Sequence, residues 1–148
     1  MNSMYFEDFD VGQKFTTSTR TVTDEDIADF HKLTGVQNRL FMDDKFAENS
    51  IHKGRITPGP LTLSLATGLF TSLGIIEDTA MAFLGLERMR LPVPVKPGDT
   101  IRVEVEITEK IETKKPDRGV VKEMFSVMNQ RDENVMSYEM AHLIMRRE

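Results

Sequence analysis

The clearest regularity in the chain is an alternation in which Ile101, Val103, Val105 and Ile107 are separated by Arg102, Glu104, Glu106 and Thr108. A period of two puts one set of side chains on each face of an extended segment, so a half-buried β-strand is expected there. Two further runs, Val120–Asn129 and Val135–Arg146, flank the polar segment Gln130-Arg131-Asp132-Glu133-Asn134 and read as an antiparallel hairpin. Lys14–Val22, rich in threonine, and Met81–Leu91 supply two more strand candidates. The stretch Pro60–Leu73 follows a different rule. Leu61, Leu65, Leu69 and Leu73 fall on one helical face and Leu63, Ala66 and Phe70 on the next, while Thr62, Ser64, Thr67, Gly68 and Thr71 are small and uncharged. A helix with no charged face is expected to be buried nearly all round. Thr57 or Gly59 is placed to cap its start and Gly74 to end it.

Upstream, Thr23 followed by Asp24-Glu25-Asp26 has the form of a capping box, and Ile27, Phe30 and Leu33 give the helix it starts an apolar face that Gly35 closes. From Val36 to Arg55 the pattern loses its period, apart from a small helix over Asp43–Glu48 capped by Met42 or Asp43. Connectors of that length in small domains are more often functional than structural. Ile75–Thr79 reads as a linker, Pro92–Asp99 as a proline-stiffened turn and Thr113–Gly119 as a loop. The order is strand, short helix, loop, long apolar helix, then four strands. An antiparallel sheet wrapped around the one long helix buries that helix best, which predicts a single α+β domain over residues 1–148. One sheet leaves a flank of the helix open, and a second copy of the chain is expected to close it.

Composition narrows the function classes. A formal net charge of −5 disfavours nucleic acid as a partner. The absence of cysteine removes disulfides, thiolate nucleophiles and thiolate metal sites together, and fits a reducing cytoplasm. Met1–Asp8 lacks the basic and apolar regions of a signal peptide, and the apolar run of the central helix falls short of the ~20 residues of a membrane span, so a cytoplasmic protein without a membrane span is expected. The three histidines, His31, His52 and His142, show no short metal-ligand spacing, so no metal is expected.

Asp26–Ala47, Ile56-Thr57-Pro58-Gly59 with the leucine-rich helix, Phe83-Leu84-Gly85-Leu86, and Leu91–Asp99 together resemble the MaoC-like group of hot-dog-fold proteins, the (R)-specific enoyl-CoA hydratases and acyl dehydratases. The resemblance extends over most of the chain. It implies a hot-dog fold, a homodimer or dimer of dimers, and an acyl-CoA or acyl-carrier thioester as ligand, with coenzyme A present only as part of that ligand and no separate cofactor. In these hydratases a loop of the form Gly-Asp-x-Asn-Pro-Leu-His carries the catalytic aspartate and histidine. The corresponding residues here are Gly35-Val36-Gln37-Asn38-Arg39-Leu40-Phe41. Asn38 matches, whereas Val36 occupies the aspartate position, Phe41 the histidine position, and Pro58 a further position where the family often has histidine. The resemblance places Asn38, Thr57, Pro58, Gly59 and Gly85 at the binding site.

Hydrating an enoyl thioester needs a base, an acid and donors for the thioester oxygen, and valine and phenylalanine do neither proton job. The expected function is therefore acyl-thioester binding with the hydratase dyad replaced, either alone or as a subunit paired with an active homologue. Two alternatives stay open. An active hydratase or dehydratase would draw on His52, in the loop before the helix, or on Asp43. A hot-dog thioesterase would want an acidic residue on or beside the central helix, and Leu61–Leu73 carries none. His31 reads as packing on the short helix and His142 as a core histidine.

Overall fold

The computed structural model describes residues 2–148. A 3-10 turn at Phe6–Asp8 leads into β1 (Lys14–Thr16) and β2 (Arg20–Thr21), followed by α1 (Asp24–Thr34), α2 (Arg39–Met42), α3 (Asp44–Glu48) and α4 (Gly59–Thr71). The chain then runs through β3 (Ala80–Arg90), β4 (Thr100–Glu112), β5 (Arg118–Met128) and β6 (Asn134–Met145). All pairings are antiparallel, in the order β1-β4-β5-β6-β3, with β2 also on β4.

The alternation in β4 does what its period requires. Ile101, Val103, Val105 and Ile107 are all buried on the concave face, beside Val121, Phe125 and Val127 of β5 and Tyr138, Met140 and Ile144 of β6. Across that face lies α4, which presents Ala66, Leu69 and Phe70 to the sheet. Phe125 sits between Phe70, edge-on at 4.9 Å, and Tyr138, stacked at 4.9 Å. This is the hot-dog arrangement, one sheet curled about one helix. Among the described residues no helix is long and apolar enough to cross a membrane.

Four expectations change in detail. The strand expected over Lys14–Val22 is broken, because Thr17 turns inward: its amide donates to the carbonyl of Val103 and its hydroxyl accepts from the amide of Val103, a side chain replacing part of the ladder. The long helix begins one residue earlier than expected and stops at Thr71, with Pro58 as the residue before its first turn and neither Thr57 nor Gly59 capping it. It is also not buried all round, since Pro60, Ser64, Gly68 and Thr71 form an exposed flank. In α1 the capping box forms as read, Thr23 accepting from the amide of Asp26 and Asp26 from that of Thr23, and Gly35 ends the helix at φ 78°. Its apolar face does not follow, because no element covers its later turns: Ile27 is buried but Leu33 is 84% exposed.

Strand β3 is one edge of the sheet and is irregular. Its pairing with β6 shifts register at three places, and Arg88 adopts φ 54°, a left-handed backbone that costs strain for a residue with a side chain. Phe83 and Leu84 on this strand are more than half exposed.

Candidate functional site

The long connector folds back on the start of α4. After Gly35, the Asn38 side chain caps α2 by accepting from the amide of Leu40 at 2.9 Å. Asp43 caps α3, accepting from the amide of Phe46 at 3.0 Å, and its other oxygen takes the Arg39 guanidinium. The Phe46 amide and then Arg39 hold the Asp43 carboxyl below the usual carboxylate range. With both oxygens engaged, Asp43 is a helix cap and is poorly placed to exchange protons.

Two ties join this connector to the segment before α4. The amide of Ile56 donates to the carbonyl of Leu40 at 3.1 Å. Arg55 reaches Asp44 and Asp24, each at 2.6 Å, and also donates to the carbonyl of Phe41. Those two carboxylates, Asp44 first, hold the Arg55 guanidinium above its usual range. Val36, Asn38, Phe41 and Asp43 thus share one short stretch pinned beside Ile56–Gly59. His31 also approaches it, its Nδ1 lying 3.2 Å from the carbonyl of Val36. His52 is half-buried; its carbonyl accepts from Lys96 Nζ at 2.8 Å, and among the described residues its ring has no hydrogen-bond partner. Gly85 lies apart from this group, in the interior of β3 opposite Ala141, where an added Cβ would meet nothing within 4 Å.

The first turn of α4 is arranged by its two prolines. The amides of Leu61 and Thr62 both return to the carbonyl of Pro58, at 3.0 and 3.1 Å, and Pro60 has no N–H. Of the first four residues, only Gly59 therefore keeps an unpartnered amide among the described residues. The helix mouth offers one backbone donor, not the several expected of a free N-terminus. The Thr57 amide donates to the carbonyl of Val95 at 2.6 Å, which lays the segment 57–59 along the turn 91–95. The Thr57 side chain is buried and its hydroxyl has no partner among the described residues.

A second polar group escaped sequence reading. Glu123 on β5 is 1% exposed, and both its oxygens lie within 3.1 Å of Nδ1 of His142 on β6. The His142 ring stacks near Phe70 at 6.1 Å and is tilted against Phe83 at 5.7 Å. Burial pushes the Glu123 carboxyl above its usual range, and hydrogen bonding to His142 opposes that push. The available signal was register: Glu123 shares the inward parity of Val121, Phe125 and Val127.

Comparison with known proteins gives four consistent findings. Residues 8–128 match the family model described as MaoC like domain. The chain is 39% identical over 99 residues to Protein MaoC of Klebsiella aerogenes, a match covering 67% of this chain and 29% of that protein, so the chain spans less than a third of that curated relative. It is 28% identical over 108 residues to a 3-hydroxybutyryl-CoA dehydratase of Methylorubrum extorquens, covering 73% of this chain and 66% of that protein. Among solved structures it is similar to a monoamine oxidase regulatory protein of Archaeoglobus fulgidus, with a TM-score of 0.93 and 34% identity over 100% of this chain and 98% of the other.

Proposed function

Because the chain belongs to the MaoC-like domain family, we propose that it binds an acyl thioester, with the acyl chain beside α4 and the thioester carbonyl at the amide of Gly59. The observation that carries this reading is the mouth of α4. It is uncharged, it sits against the connector that holds Asn38, and it keeps one backbone donor free where the helix dipole favours developing negative charge. The 3-hydroxybutyryl-CoA dehydratase among the relatives supports coenzyme A as the thiol of the ligand.

The proton-transfer half of the family chemistry is reduced. Val36 and Phe41 stand where the hydratases carry aspartate and histidine, and each positioned acid or base is typically worth 10²–10⁴-fold. Asp43 is committed to capping α3 and to Arg39, which leaves no carboxylate of this stretch free to replace the missing base. The protein is on this reading a thioester binder with weak hydratase activity, acting alone or beside an active homologue.

Thermal-shift measurements across a series of acyl-CoAs and free coenzyme A test the binding. Stabilisation that depends on chain length is expected, and a flat response to every member would remove the proposal. Crotonyl-CoA hydration is expected to run at least several hundred-fold below a relative with the intact dyad. Val36→Asp combined with Phe41→His is expected to restore part of the rate, and either change alone much less, since the two groups act as a unit. Robust hydration by the wild-type chain would instead direct attention to His52.

A further inference from the structure

We infer that the Thr57 hydroxyl is the second donor to the ligand's carbonyl oxygen, paired with the Gly59 amide, and that Leu91 is the movable cover over both. The inference rests on the thioester reading above. Thr57 is only 5% exposed, yet its Oγ1 has no hydrogen-bond partner. An orphaned buried hydroxyl is destabilising, and a threonine next to a helix start ordinarily relieves it by capping that helix. Here it does not: α4 has no side-chain cap, and the amides that such a cap would take are already turned back onto Pro58. Two donors within three residues of sequence, Thr57 Oγ1 and Gly59 N, are thus left without partners among the described residues.

What lies against Gly59 is apolar. The position a Cβ would take on Gly59 is 2.9 Å from Leu91 Cδ2, so the Leu91 side chain occupies the space that the absence of a side chain on Gly59 creates. Leu91 is itself 52% exposed and directly follows edge strand β3. The Val95 carbonyl fixes the Thr57 backbone, so the donors stay in place while the leucine rotates away. A carbonyl oxygen entering there meets two positioned donors, which stabilise an enolate-like oxygen, and the leucine then lies against the ligand's apolar chain. A side chain at 59 would have to displace the end of the Leu91 side chain to fit.

The experiment compares butyryl-CoA with S-butyl-CoA, a thioether of the same length that lacks the carbonyl, by calorimetric titration of the wild-type chain, Thr57→Val, Thr57→Ser and Leu91→Ala. The wild type is expected to prefer the thioester. Thr57→Val is expected to lose about tenfold in affinity for butyryl-CoA, the size of one hydrogen bond, with S-butyl-CoA unchanged, while Thr57→Ser keeps the preference. Because Thr57→Val removes an orphan hydroxyl, its melting temperature should equal or exceed that of the wild type, which separates lost binding from lost folding. In stopped-flow binding, Leu91→Ala is expected to speed association of both ligands, and unchanged association would remove Leu91 as the cover. Equal butyryl-CoA affinity in Thr57→Val and wild type would overturn the inference and leave the thioester reading standing. Wild-type binding of neither compound would overturn both.

Discussion

At the scale of single residues, the buried pair Glu123 and His142 ties stability to pH. They face each other on the concave side of the sheet, and among the described residues no other charged group faces them. Alpha-helix α4 contains no titratable residue, while Ile107 of β4, Val121 and Phe125 of β5, Met140 and Ile144 of β6 and Phe83 of β3 are apolar. Asp99, the other buried carboxylate among the described residues, lies in the turn before β4, where it accepts from Lys96 N and Gln130 Nε2. Burial raises the Glu123 pKa from its ordinary 4.5, so the folded chain keeps this proton to a higher pH than the unfolded chain does. Between the two values the unfolded state binds fewer protons, and stability contributed by this group falls as pH rises from about that ordinary value. Glu123→Gln keeps a hydrogen-bonding amide without the ionisation. Its melting temperature relative to wild type is expected to climb as pH is raised from 4 toward 7, and parallel curves would show that the carboxyl does not titrate differently in the two states.

At the scale of elements, the close fit of the N-terminal turn against β5 makes a clean case. A Cβ on Gly119 would come within 2.4 Å of Cδ2 of Phe6, and Phe6 is held in place, 3% exposed, with the Lys110 ammonium 4.6 Å and the Arg146 guanidinium 4.9 Å from its ring. Gly119→Ala is expected to cost about 1–3 kcal/mol in urea unfolding, as overpacking does, and Phe6→Leu in that background is expected to recover part of the loss. A shared cost in both would place the effect in the backbone. The elements that sequence made legible are those whose signals are local. Thr23, Asp26 and Gly35 bound α1 because caps act over three or four residues, and β4 declares itself by parity. The break at Thr17, the exposure of Leu33 and the Glu123–His142 pair depend on what lies across from each residue, which periodicity does not specify. The candidate site divides the same way. Loop 35–41 and the Gly59 mouth were visible from motif order, whereas the loss of all but one free amide needed the turn of Leu61 and Thr62 back to Pro58.

At the scale of the whole molecule, the exposed flank of α4 and the free edge of β3 ask for the same occupant. Pro60, Ser64, Gly68 and Thr71 are small enough for close approach, and Phe83 and Leu84 present apolar surface on an edge strand with one free side. A homodimer joined through these surfaces is expected in light scattering at micromolar concentration, and Phe83→Lys is expected to shift it to monomer. A wild-type monomer would count against it. The order of elements has one more effect. Thr71, the end of α4, precedes Met145, the end of the last strand that covers the helix, by 74 residues. At about 5–20 residues per second of synthesis, the leucine-rich helix waits on the order of 4–15 s for its sheet to be finished. During that interval the nascent chain offers a sticky segment with nothing to cover it. Substitutions that slow the closing of β6 should therefore lower soluble yield in growing cells well before they lower the melting temperature of the protein that survives.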